Sequence, residues 1–293
     1  MKFFWKIIAL STVLAILILF LPSILQAPSK IITNESSFGN AQAEEFILMG
    51  DTGTGGSSQY AVANSIKNYC ATKNCKAVFI LGDVIYEKGV ASSSDKQFKT
   101  KFEDPYKELR LPFYIVLGNH DYLGCIDCYI KYSSVSEKWE MPERFYVTKF
   151  NDISFYTVDT ENFDDEQQKW LKKNLLSDSK SWKIVVGHRP IKTYEKTKVN
   201  ENWTGENELK DIVCNSANFY VSGHSHVLEY PGKIGECKVV QLVSGGGGAN
   251  IREVIKPYKG EFYSEENGFL VLSASGKNLK INFMDKDGNL IYS

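Results

Sequence analysis

Five short apolar runs in this chain stop at, or one residue before, a glycine, and each glycine is followed within three residues by a carboxylate, an amide or an imidazole. The runs are 45–49, 77–81, 113–117, 182–186 and 219–221, all rich in β-branched and aromatic residues. Continuous runs of that length and composition predict buried strands. The groups that follow are Asp51, then Asp83, then Asn119, His120 and Asp121, then His188, and finally His224 and His226. An open α/β sheet keeps its chemistry in loops at the carboxyl ends of its strands. The pattern therefore confines the chain to folds that gather several strand ends on one side. All four histidines obey the rule, whereas histidines used as filler would be scattered through helices and surface loops.

The intervening stretches supply the covering layers. Residues 59–70 carry Ala61, Val62, Ile66 and Tyr69 near helical spacing. Residues 95–109 place Phe98, Phe102, Tyr106 and Leu109 on one stripe, with Pro105 set to kink or split the helix. Asp164 and Gln167 form a capping box opening a helix to Leu176, with Trp170, Leu171, Leu175 and Leu176 facing inward. A short helix follows over 206–214. Runs 145–147 and 153–158 read as paired strands, and 237–243, 269–272 and 279–283 as further strands, while 125–142 gives no clear assignment. The early chain alternates strand and helix and the late chain is strand-rich. The expected class is mixed α/β with α+β character: a four-layer αββα sandwich of two mixed sheets flanked by helices, as one domain over 44–293.

Residues 1–27 read as a signal peptide or an N-terminal membrane anchor, with 28–43 a flexible lead-in. The apolar stretch 7–21 would span roughly 22 Å as a helix, short of the ~30 Å hydrocarbon core, although Ile24 and Leu25 could extend it. The chain is thus expected to be exported, as a secreted, periplasmic or lumenal protein, or anchored through 7–25. A net charge of −1 gives no basic footprint for nucleic acid. The six cysteines suggest disulfides, and local pairing of 70 with 75, 125 with 128 and 214 with 237 is the simplest of fifteen connectivities. A zinc reading of Cys125 and Cys128 lacks a second pair, while a redox role stays open because they follow the central loop.

The polar groups at the strand ends can be counted as donors. Two carboxylates (Asp51, Asp83), the phenol of Tyr86, the amide of Asn119 and three or four imidazoles exceed one tetrahedral zinc site. They suit two ions about 3.5–4 Å apart sharing a bridging carboxylate. Oxygen with imidazole favours iron, manganese or zinc, and a tyrosinate favours Fe³⁺. The bland reading of Tyr86 is a packed aromatic at the rim. No Gly-x-Ser-x-Gly elbow and no glycine-rich loop ending in Lys-Ser/Thr is present. The four glycines at 245–248 are expected to make a close backbone approach at the site rim.

Together, Gly50-Asp51-x-Gly53, Gly82-Asp83-x-x-Tyr86, Gly118-Asn119-His120-Asp121, Val186-Gly187-His188-x-Pro190 and Gly223-His224-x-His226 resemble the calcineurin-like metallophosphoesterases. Tyr86 makes the purple acid phosphatase branch the nearest likeness. Within it, the small tartrate-resistant type is similar in length and around 102–105 and 119–124. The likeness runs roughly over 46–283. It implies that Asp51, Asp83, Tyr86 and His226 hold Fe³⁺. Asp83 would bridge to a divalent ion (Fe²⁺, Zn²⁺ or Mn²⁺) held with Asn119, His188 and His224. His120 would lie beside the phosphate as the catalytic acid or charge stabiliser, and Asp121 behind the ligands. The implied reaction is acid phosphatase-like hydrolysis of phosphate monoesters by a metal-bound hydroxide. The implied substrate is a small phosphate ester, with phosphoproteins and nucleotides open, and the expected state is a monomer. The small mammalian-type enzymes carry a further histidine where Tyr122 stands and another between the positions of His188 and His224. Tyr122 and Arg189, or Lys192, are the candidates to take over substrate contact. A phosphodiesterase or nucleotidase on the same site, or a non-catalytic metal-binding sensor, are the competing readings.

Overall fold

The computed structural model describes residues 31–33 and 42–293. The expected signal peptide or anchor and most of the lead-in lie outside the described residues. No described helix is long and apolar enough to cross a membrane.

In chain order the first half gives β1 (Ile31–Thr33), β2 (Glu44–Met49), α1 (Ser57–Cys70), β3 (Asn74–Leu81), β4 (Phe113–Val116), α2 (Ile126–Tyr132), β5 (Trp139–Glu140), β6 (Tyr146–Lys149) and β7 (Ile153–Thr157). The second half gives α3 (Asp165–Ser177), β8 (Trp182–Val186), α4 (Glu206–Val213), β9 (Phe219–Ser222), β10 (Leu228–Tyr230), β11 (Val240–Ser244) and β12 (Phe262–Ser264). The chain ends with β13 (Gly268–Ser275), β14 (Asn278–Asp285) and β15 (Leu290–Tyr292). One sheet has eight strands in the order β1-β6-β7-β8-β9-β11-β10-β12, and the other seven in the order β15-β14-β13-β2-β3-β4-β5. β2 to β5 run parallel, as do β7, β8, β9 and β11, with antiparallel strands at the flanks.

The sheets pack face to face. Phe155 of β7 meets Phe79 of β3 at 4.2 Å between ring centroids and Phe46 of β2 at 5.1 Å. β3 and β4 are apolar on both faces because both are covered, which is why their runs show no alternation. Val62 and Ile66 of α1 close over the seven-stranded sheet. Leu171 and Leu175 of α3 and Leu209 and Val213 of α4 close over Tyr156, Val185 and Tyr220 of the other. The result is the expected four-layer αββα arrangement.

Several local expectations change. Leu176 is 70% exposed while Leu171 and Leu175 are fully buried, since one further residue turns about 100° away from the stripe. Asp164 does cap α3 through Gln167 N (3.0 Å), but the Gln167 side chain turns to the main chain of Asp159 instead of returning to the cap. Residues 95–109 are helical only over Lys96–Phe98 and a wider turn at Lys99–Glu103, ending ahead of Pro105. Phe98, Phe102, Tyr106 and Leu109 are buried even so. Within the stretch read as a flexible lead-in, Ile31–Thr33 pairs in parallel with β6, as its β-branched residues allow. The cysteines pair locally, 70 with 75, 125 with 128 and 214 with 237.

Candidate metal centre

The parallel strands β2, β3 and β4 of one sheet and β8 and β9 of the other deliver their loops to a common end. Main-chain hydrogen bonds sew the loops together: Asp51 N donates to Gly82 O (3.0 Å), Gly223 N to His188 O (3.0 Å) and Ala249 N to Asp51 O (2.8 Å). The 245–248 run makes the close approach expected of it, with Gly247 N donating to Gly50 O (3.0 Å). Among the described residues, only three that are not glycine have positive φ: Asp51 (60°), Asp83 (52°) and His224 (64°). Left-handed backbone is uncommon for side-chain-bearing residues and collects at functional sites. All three are candidate ligands.

The donors fall into two adjoining groups. In the first, the Tyr86 hydroxyl donates to Asp51 Oδ1 (3.0 Å) and lies 3.1 Å from His226 Nε2, which is itself 3.3 Å from Asp51 Oδ1. In the second, His188 Nε2 lies 3.1 Å from Asn119 Oδ1 and 3.1 Å from His224 Nδ1. Asp83 stands beside the second, with Oδ1 3.5 Å from His188 Nε2 and accepting from His120 N (2.9 Å). Ligand atoms of Asp51, Asp83 and His188 all come within 4.8 Å of one another, and all three residues are buried.

This arrangement fits metal ions because lone pairs face lone pairs. His188 Nδ1–H donates to Leu81 O (2.8 Å), a carbonyl that can only accept. Its Nε2 is then bare in the neutral ring, yet its neighbours are an amide oxygen, a carboxylate oxygen and a second imidazole nitrogen. Without a cation the cluster relies on protons. Burial pushes the His188 imidazole down, but Asp83 and Asp51 outweigh it and hold its pKa above the usual value. Burial likewise opposes protonation of His226, and Asp51 reverses the balance. Burial raises Asp51, and the surrounding imidazoles, His226 foremost, draw it below the ordinary carboxylate range. Burial and then the Asp51 and Asp83 charges push the Tyr86 phenol far up. A tyrosinate at this position therefore needs a cation.

The remaining candidates surround this centre. His120 is one-third exposed, its Nδ1–H donates to Glu87 O (2.6 Å), and its Nε2 lies 4.0 Å from Asp83 Oδ2. Asp121 is buried behind the loops and accepts from Val84 N (3.1 Å), Ile85 N (3.1 Å), Gly118 N (2.9 Å) and the Tyr129 hydroxyl (2.8 Å). Its burial, with the nearby Asp83 charge, raises its pKa to about 7. Tyr122 gives its hydroxyl to Asp159 (2.5 Å), which Arg144 also grips (2.8 Å). The Arg189 guanidinium is taken up by Glu161, with two bonds of 2.8 and 2.9 Å, and by Glu201 (2.5 Å). Lys192 Nζ donates to Lys233 O (3.0 Å). Sequence reasoning missed Glu161, Asp159 and Glu201, since none directly follows a glycine at a strand end.

A family model described as calcineurin-like phosphoesterase matches residues 45–228. Tartrate-resistant acid phosphatase type 5 of Oryctolagus cuniculus is 28% identical over 257 residues, covering 73% of this chain and 77% of that protein. Purple acid phosphatase 7 of Arabidopsis thaliana is 27% identical over 278 residues, covering 84% of each. Among solved structures, GAP50, the anchor in the inner membrane complex of Plasmodium, has a TM-score of 0.72 at 21% identity, covering 86% of this chain and 88% of that one. The yellow lupin purple acid phosphatase PPD1 gives 0.68 at 17% identity, covering 85% and 53%. At those identities the structural likeness bears on the fold alone.

Proposed function

The chain belongs to the calcineurin-like phosphoesterase family, and on that footing we propose that it is an acid phosphatase-like phosphomonoesterase working at two metal ions. The carrying observation is the convergence of seven donors from five strand-end loops into two adjoining groups. Asp51, Tyr86 and His226 would hold one ion, Fe³⁺ by the preference of a phenolate. Asn119, His188 and His224 would hold the other, a divalent Fe, Zn or Mn, with Asp83 between them. The relatives named acid phosphatases support this reading.

When bound, such ions fix phosphate oxygens and lower the pKa of a water at neutral pH. The side chains do the rest. With Nδ1 committed to Glu87 O, the partly exposed His120 keeps Nε2 for the reacting groups, 4.0 Å from Asp83 Oδ2. That nitrogen can carry the proton that the departing alkoxide needs, or stabilise charge on phosphorus. Asp121 keeps the loops of Asp83 and Asn119 in register through its main-chain donors. Tyr122 and Arg189 remain the candidates for substrate contact, although their polar ends are engaged by Asp159 and by Glu161 and Glu201.

Three disulfides fit an oxidising compartment, and we read the protein as an exported monomer acting on small phosphate esters. Elemental analysis with a visible spectrum, followed by turnover of p-nitrophenyl phosphate against its bis ester, tests the proposal. Two ions, a phenolate-to-iron band and preference for the monoester are expected. Preference for the bis ester would move the assignment to a phosphodiesterase. Two bound ions with no turnover of either would make it a metal-binding module.

A further inference from the structure

Each of the four imidazoles in or beside the centre has one ring nitrogen committed, and three use the same kind of partner. His188, His226 and His120 donate Nδ1–H to the main-chain carbonyls of Leu81 (2.8 Å), Asn250 (2.9 Å) and Glu87 (2.6 Å). His224 differs. Its inward atom is Nδ1, 3.1 Å from His188 Nε2, and its outward Nε2 lies 3.0 Å from Glu201 Oε2. We propose that Glu201 is a positioning residue of the metal centre: it orients the His224 ring and fixes it as the Nε2–H tautomer with Nδ1 bare. The proposal rests on the dinuclear reading of the site.

Only an acceptor can set that tautomer, and a carboxylate sets it more firmly than a carbonyl. Carboxylate partners of ligating imidazoles both orient the ring and raise its basicity. The other neighbour of His224 Nε2 is Arg189 Nη1, farther off at 3.4 Å. Were Nε2 bare, so as to accept from Arg189, its lone pair would face the Glu201 carboxylate at 3.0 Å. The shorter contact therefore decides the proton's place. Glu201 is itself held still: Arg189 Nη1 contacts Oε1 (2.5 Å) and Lys198 Nζ contacts Oε2 (2.9 Å). Its loop is tied down by Glu201 N donating to Lys198 O (2.9 Å) and Trp203 Nε1 donating to Pro190 O (3.0 Å). The second bond anchors the loop to the segment that follows His188. Glu201 acts on one group of donors only, because His224 lies with His188 and Asn119, while Tyr86 lies with Asp51 and His226.

The test compares wild type, Glu201→Ala and Glu201→Gln. Each is loaded with iron and zinc and passed through graded chelator, then read by metal content per chain, the visible phenolate band and melting of the metal-free chain. Wild type is expected to keep two ions. Glu201→Ala should bind one of them about 10- to 100-fold more weakly while the Tyr86 band persists. Glu201→Gln, which retains an acceptor and drops the charge, should fall between. Equal chelator resistance of both ions in Glu201→Ala and wild type overturns the proposal, as does parallel loss of both ions. If Glu201→Ala does not fold, Glu201→Gln decides, and resistance equal to wild type overturns it. A wild type that holds no ion pair refutes the dinuclear reading itself, and the proposal with it.

Discussion

Replacing Gly82 by alanine tests whether the position of the His188 ring is set by the backbone beneath it. Gly82 has φ of +86°, and a Cβ there would lie 2.6 Å from His188 Cγ and 2.9 Å from its Cβ. Carbon atoms pack at about 3.5–4.0 Å, so the imidazole must retreat by roughly 1 Å. The left-handed backbone alone costs an L-residue about 1–2 kcal/mol. Overpacking of this kind adds about 1–3 kcal/mol. The retreat also strains the 2.8 Å bond from His188 Nδ1 to Leu81 O, for about 1 kcal/mol more. The sum is about 3–6 kcal/mol. Ligand distances hold only within about 0.2 Å, so the ion on the His188 side should be lost. Gly232→Ala is the control, because Gly232 has φ of +79° and nothing within 4 Å of its would-be Cβ. Urea unfolding of the metal-free chains should give about 1–2 kcal/mol lost for Gly232→Ala and the larger figure for Gly82→Ala. Metal analysis should find both ions in the first and one in the second. Equal midpoints and equal metal content would refute the reasoning.

Other expectations follow from the same geometry. His120→Ala should keep both metals and lower kcat by about 10²–10⁴-fold, with unchanged turnover excluding His120 from the reaction. Tyr86→Phe should lose the visible band while the other donors remain, and a surviving band would exclude the phenolate as its source. Glu229 is fully buried, and burial raises its carboxyl from the ordinary 4.5 to about 7 in the folded chain. The folded state binds the extra proton between those values, so this group's contribution to stability falls as pH rises from about 4.5 to about 7, by roughly 3 kcal/mol. Glu229→Gln should therefore gain on wild type across that window and run parallel to it outside. Parallel urea-stability curves throughout would show that Glu229 does not titrate as described.

The strand-end loops were legible because each is announced by a local change, from an apolar run to glycine to a side chain able to ligate a metal. What lay outside that signal depends on partners distant in sequence. Tyr122 reads as a substrate group, but Asp159, 37 residues away, takes its hydroxyl. Arg189 reads as a free cation, but Glu161 and Glu201 neutralise it. Glu201 sits in a polar loop with no periodicity, so nothing local distinguishes it from a solvated acid. β10, β12 and β15 are each three residues long, too short for any alternation to register. Leu176 shows the opposite error, where composition suggested burial and a single step around the helix gave exposure.

β2, the strand that leads to Asp51, has β3 on one side and β13 on the other, with residues 44–48 paired to 270–274. A chain emerging from the ribosome amino end first therefore carries this strand half-sheathed until residues 270–274 have been made. Pairing across so long a separation is slow, and it cannot begin earlier. The loop that carries Asp51 thus takes its final place only after β13 has paired, so any metal ion held there would be captured late, in the compartment where β13 comes to rest.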